Sequence, residues 1–205
     1  MRRAVRGRSA ALLNILAVAL AALFAGEASA QLPLEAWVRP LAAVPVGAFA
    51  GRDDGIEAGA SFGFDAGASI DVGALTLYGE YQEIGFSCGE CEEVEVEETA
   101  LDRGWGAGVI VPHPSTIAGL RPWARAGIIV HHLRFRFGDE RAYSDPSLGW
   151  SLGVGAEARP LPWLRLEPSL LFNRYSAEYG FAIDVPDRRT SISYITLGLG
   201  VGVGL

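Results

Sequence analysis

The chain has 205 residues, 17 Lys plus Arg against 24 Asp plus Glu, and a formal net charge of −7. Half of its residues are hydrophobic and 26 are Gly. Such a length suits one domain, and the acidic balance excludes nucleic acid as a partner, because that ligand demands a cationic surface.

The first segment is read as an export signal. Arg2, Arg3, Arg6 and Arg8 precede a nearly unbroken apolar run to Gly26, and Ala28-Ser29-Ala30 follows. A charged n-region, an apolar h-region and an A-x-A site in that order make residues 1–30 a signal peptide. The run is short for a spanning helix, and no Cys follows it for lipid attachment. Residues 31–205 then form the mature domain, with 13 basic and 23 acidic residues and a net charge of −10. No second long apolar segment follows, so an exported chain this apolar needs another explanation.

Alternation supplies it. From Ile56 to Val72 every even position is Ile, Ala, Phe or Val, and every odd position is Glu, Gly, Ser or Asp. A strand sorts these two sets onto opposite faces, whereas a helix scatters them. Leu75 and Leu77 alternate with Thr76, Tyr78, Glu80 and Gln82. Leu148 to Ala158, Leu164 to Phe172 and Ile195 to Leu205 repeat the pattern. Eight strands are predicted, at 43–51, 56–72, 75–87, 104–112, 121–137, 147–159, 163–176 and 190–204. One set of connections is comparatively short or Pro-bearing (73–74, 112–120, 159–162). The other is charged and mostly longer (52–55, 88–103, 138–146, 176–189). An even strand number with two unequal sets of loops implies an all-β, eight-stranded antiparallel up-and-down barrel.

Alternation alone does not say which face is wet. A soluble lipocalin-like barrel in the periplasm would turn its apolar faces inward around an apolar ligand; a membrane barrel would turn them outward. Residue size decides. The non-apolar faces carry Gly59, Gly63, Gly67, Gly149, Gly153, Gly155, Gly198, Gly200, Gly202 and Gly204. An eight-stranded barrel is just wide enough inside for side chains, so small residues belong there. A water-facing wall has no reason to prefer Gly, which weakens strands. The apolar faces also hold Phe62, Phe64, Tyr81, Trp105 and Trp150, the stock of an interfacial aromatic belt. The inward set is then expected to include a polar network of Glu57, Asp65, Glu80, Arg134, Arg136, Glu157, Arg165 and Glu167.

On these features the chain resembles the small eight-stranded outer-membrane barrels, the OmpA/OmpX-like and opacity-protein class. The resemblance covers Gln31 to Leu205 and rests on the signal peptide, strand count, loop asymmetry and terminal strand "SYITLGLGVGVGL" (193–205). It implies a monomer in the outer membrane of a double-membraned bacterium. Its partners would be outer-membrane lipid, lipopolysaccharide and the barrel assembly machinery. Members usually end in an aromatic residue that this machinery recognises; this chain ends in Leu205. No peptidoglycan-binding domain is expected after the last strand.

Sites of chemistry are sparse. Cys88 and Cys91 form C-G-E-C, and in an exported chain two such Cys are expected to pair as a loop disulfide. Like-charge repulsion from Glu90, Glu92 and Glu93 disfavours the alternative, a reactive thiolate. Six Glu between 90 and 98 read as a solvated loop or as divalent-cation capture, though no EF-hand spacing is present. His113 lies between two prolines, while His131 and His132 face opposite sides of a strand and cannot share a metal. The outward His/Ser pair of lipid-A-modifying barrels is missing: Leu133 and Arg134 stand two residues beyond His131 and His132. No catalytic or metal site and no cofactor is therefore expected. The leading reading is a non-enzymatic barrel with a structural, surface-contact or narrow-permeation role. The alternatives are a lipid-modifying barrel enzyme and the soluble periplasmic barrel. Cleavage after Ala30 predicts that intact-mass analysis of the envelope-borne chain gives a protein beginning at Gln31. A mass retaining residues 1–30 rules that out.

Overall fold

The computed structural model of the chain describes residues 34–51, 58–87, 99–137, 140–179 and 188–204. The expected signal segment 1–30, Glu57, Cys88 and Cys91 with their expected disulfide, and the Glu-rich run lie outside the described residues. Nine strands follow one another: β1 (Leu34–Pro45), β2 (Ser61–Val72), β3 (Leu75–Ser87), β4 (Thr99–Pro112), β5 (Arg121–Phe137), β6 (Glu140–Tyr143), β7 (Ser147–Leu161), β8 (Leu164–Tyr179) and β9 (Arg188–Gly204). Every pairing is antiparallel. The order β4-β3-β2-β1-β9-β8-β7-β5 is closed by a β4–β5 ladder. Strands β6 and β7 both pair with β5 and are two pieces of one barrel strand. They are interrupted at Ser144-Asp145-Pro146, where the Ser144 hydroxyl accepts the Leu133 N–H at 2.8 Å in place of a ladder bond. The chain is thus an eight-stranded closed barrel. No helix among the described residues is long and apolar enough to cross a membrane, and crossing falls to strands.

Two boundaries differ from expectation. The first strand runs over 34–45 rather than 43–51, and Gly47–Ala50 forms a 3-10 turn. Pro40 and Pro45 obscure β1 in the sequence. Pro40 faces out of the wall where the ladder to β9 skips Arg39 and Pro40, so its missing N–H breaks no bond there. Strand β2 begins at Ser61, five residues later than the alternation suggests, because Ala58 instead bridges Phe49 through a 3.2 Å backbone bond.

The short connections are tight. Val72 pairs Leu75 across a two-residue turn with Gly73 at φ +69°, the left-handed region that such hairpins require. At the next turn on that end, Ala118 and Gly119 take φ +53° and +80° between the bridged Ile117 and Leu120.

The apolar faces point outward. Phe62 is 82 % exposed, Leu148 70 % and Trp105 68 %. Uncharged outward positions run unbroken from Pro122 to Val130 on β5 and from Leu164 to Phe172 on β8. Nine residues at ~3.3 Å each, tilted by about 40°, give roughly 23 Å of height, which matches the apolar band of a membrane barrel. On this wall Tyr81 packs against Trp105 at 5.2 Å and Phe64 at 6.3 Å, and Trp150 packs against Phe172 at 5.2 Å.

The inward glycines make room for large neighbours. A Cβ on Gly155 would stand 2.2 Å from the Trp123 ring and 2.6 Å from the Pro168 carbonyl oxygen; one on Gly198 would stand 2.5 Å from the Arg39 side chain. Gly85, on the outward face of β3, has nothing within 4 Å of its Cβ position. Gly155→Ala is therefore expected to cost about 1–3 kcal/mol by overpacking, whereas Gly85→Ala changes stability by less than about 0.5 kcal/mol. Urea midpoints of the refolded chain in detergent check the pair; equal midpoints contradict the crowding.

Candidate functional site

The lumen divides into an ionic part toward the short turns and an apolar part beneath the long loops. The strands put charge inside through their inward parity: odd residues of β1, β2, β5, β7 and β8, and even residues of β3, β4 and β9. Near mid-barrel the Arg125 guanidinium donates to both Glu80 oxygens, at 2.8 and 2.6 Å, and its charge lies 4.7 Å above the Tyr78 ring. Beside it Arg39 donates to Glu167 at 2.9 Å and stands 3.7 Å from Asp65, whose other oxygen accepts Trp37 Nε1–H at 3.2 Å. Arg165 continues the chain of charge, 3.4 Å from Glu167 and bonded to Glu35. At the mouth Arg159 bonds Glu35 and Glu157, both at 2.5 Å. Opposite charges thus alternate through Asp65, Arg39, Glu167, Arg165, Glu35, Arg159 and Glu157.

Asp65, Glu80, Glu157, Arg165 and Glu167 all stand on inward faces, and the chain of contacts joins four of them, with Glu80 in the neighbouring Arg125 pair. Arg134 is not brought to this group. It occupies an even position of β5, opposite in parity to the buried His131 and Leu133, and its guanidinium lies 5.6 Å over the Tyr143 ring. Arg136 shares that parity, in register with Arg141; its side chain, like Glu57, falls outside what is described. Sequence reasoning missed Arg39, because β1 was sought too late in the chain. It missed Arg125 because the expected inward set took Arg134 and Arg136, which have the opposite parity on β5. Beyond the lipid, outward charge is permitted, so the tip is a poor guide. Trp123, Gly127 and Ile129, which share a face with Arg125, carried the better signal.

Further up, Asp102 accepts His131 Nδ1–H and the Tyr175 hydroxyl, each at 3.0 Å. Tyr194 donates to Gln82 at 2.8 Å. Above this polar layer the lumen is filled by Leu41, Phe49, Ile84, Phe86, Leu133, Ile192 and the rings of Tyr175 and Tyr194. Phe49, carried in from the 3-10 turn, meets Phe86 edge-on at 4.9 Å, and Phe86 meets Tyr194 at 5.4 Å. At the opposite mouth Glu35, Asp71, Thr76, Trp123 and Arg159 line a cavity of about 30 Å³, room for about a water. Among the described residues no group of three or more His, Cys, Asp or Glu could hold a metal ion.

Removing one partner of a buried pair strands the other charge, at a cost of about 3–5 kcal/mol. Arg125→Met is expected to lose that much in urea unfolding, and Glu80→Leu to restore more than half of it in the Arg125→Met background. Strict additivity of the two changes would contradict the pairing.

No protein-family model matches the chain, and no curated protein does. Solved structures do match. Neisserial surface protein A (NspA) has a TM-score of 0.58 at 15 % identity, covering 84 % of this chain and 97 % of that one. OprG from Pseudomonas aeruginosa gives 0.52 at 9 %, covering 86 % and 99 %. Ail, the attachment invasion locus protein of Yersinia pestis, solved with the heparin analogue sucrose octasulfate, gives 0.50 at 12 %, covering 84 % and 99 %. At these identities the likeness is one of fold, and it agrees with the apolar wall and the closed ladder: the chain has the fold of the small eight-stranded outer-membrane β-barrels.

Proposed function

We propose that this chain is a non-enzymatic, plugged barrel that acts at its long-loop end, by surface contact, and not through its lumen. The observation that carries the reading is the double obstruction of the interior. Paired charges line a cavity of about 30 Å³ at one mouth, and the Phe49–Phe86–Tyr194 stack occupies the lumen toward the other. In such barrels the short turns lie in the periplasm and the longer loops outside the cell, so the apolar plug sits beneath the exposed loops.

The loops argue for the sign of the partner. Ail was solved with a polysulfated ligand, but the loop here with six Glu between residues 90 and 98 would repel a polyanion. A cationic surface, or an anionic one bridged by divalent ions, suits it better. Catalysis is disfavoured by the outward His132, whose Nε2 accepts the Arg103 Nε–H at 2.9 Å and has no hydroxyl two residues along its strand.

Planar-bilayer recording tests the obstruction. The reconstituted chain, shown to be folded by its heat-modifiable gel migration, is expected to give no conductance steps. Discrete steps from the folded protein would overturn the plugged reading in favour of permeation.

A further inference from the structure

The outer wall is not uniform at its long-loop end. Above the aromatic belt on β4 and β5, Arg103, His132 and Arg134 occupy outward positions: Arg103 two residues beyond Trp105, and His132 and Arg134 two and four beyond Val130. Arg103 and His132 are register partners, joined by the 2.9 Å bond from Arg103 Nε–H. Arg134 is held against the half-exposed Tyr143 ring. Across the barrel β1, β2 and β9 present Val44, Phe62 and Ile195 toward that end, and the exposed Arg189 at the tip of β9 is paired with Glu178.

Among the described residues these cations are not taken up by neighbouring acids. Glu83 lies across the ladder from Arg103, but its carboxylate accepts the Tyr81 hydroxyl at 3.0 Å. Among the described residues neither Arg103 nor Arg134 is paired with a carboxylate. Two guanidiniums beside an imidazole, directly above rings that face acyl chains, match one chemistry: an anionic phosphate whose own hydrocarbon lies below it in the bilayer. The Arg103–His132 bond engages Nε, and the Nη fork of a guanidinium is the geometry that suits phosphate.

We propose that Arg103, His132 and Arg134 form a site for the headgroup phosphate of an anionic glycolipid in the outer leaflet. The proposal rests on the outer-membrane orientation but not on the plugged lumen, so conductance results do not bear on it.

The test reconstitutes the full chain in phosphatidylethanolamine vesicles containing either a phosphorylated glucosamine glycolipid or the same lipid after phosphatase treatment. Glycolipid retained per chain after detergent extraction is measured by mass spectrometry. The chain is expected to retain the phosphorylated form roughly tenfold more than the dephosphorylated form, as charge-assisted hydrogen bonds to the phosphate would give. R103Q/R134Q is expected to lose that preference, and R103K/R134K to keep part of it. R189Q, at the exposed Arg189–Glu178 pair, is expected to leave retention unchanged. Heat-modifiable migration of each variant separates lost folding from lost binding. If the double variant does not fold, R134Q carries the test alone, because its guanidinium stacks on an exposed ring. Equal retention by R103Q/R134Q and the unaltered chain overturns the proposal. So does equal capture of phosphatidylglycerol or competition by inorganic phosphate, either of which would mark a general anion surface.

Discussion

Hydrocarbon contains no water to bond a stray backbone N–H or C=O, so each such group on a membrane-spanning sheet must find a partner within the sheet. The β4–β5 ladder meets this constraint by closing the sheet on itself. Much else follows from the circumference that eight strands permit. The interior admits side chains but little more, so a large inward residue on one strand needs a near-absent one beside it. Trp123 therefore faces Gly155, and Arg39 faces Gly198. The same shortage of space strips charges of solvent. A desolvated guanidinium is tolerable only with carboxylates in good geometry, and Arg125 with Glu80 and Arg39 with Glu167 supply it.

The architecture was legible because alternation survives wherever one face meets lipid and the other meets the lumen. Strand β2 shows this well: Phe62, Phe64, Ala66, Ala68, Ile70 and Val72 face out, and Ser61, Asp65 and Ser69 are buried inside. The abundance of Gly on the second face revealed the direction. Legibility failed where the environment changes along a strand. Beyond the membrane the outer face of β5 no longer meets lipid, and Arg134 follows the rule for water. Strand β1 was masked by its prolines, of which Pro40 is tolerated at the skipped pairing with β9. The pairing partners were harder still, since Arg39 and Glu167 are 128 residues apart and only the strand order brings them together.

The two ends of the lumen solve different problems. Toward the short turns the ionic chain runs from buried Arg39 to the mouth, where Arg159 is 44 % exposed. Its charges can draw on solvent there, so the desolvation each suffers falls with distance from mid-barrel. Beneath the long loops a second ionic layer would have to coexist with loops of strongly acidic composition, whose field would bias any inward carboxylate against its partner. An apolar stack has no such sensitivity. Phe49, Phe86 and Tyr194 meet ring against ring at that end.

This division also separates what the loops do from what holds the barrel up. The apolar stack is built from strand residues and one 3-10 turn. The lumenal pairs among the described residues join strand to strand. The outer wall follows the same logic. Its charged residues begin where the apolar band ends, at Glu83 on β3, Arg103 on β4, His132 on β5 and Arg174 on β8. The height at which charge first appears is set by the lipid, but its sign around the rim is not. That freedom lets Arg103, His132 and Arg134 gather on β4 and β5, and a cluster of cations on a rim at headgroup height is the part of this fold best placed to distinguish one lipid from another.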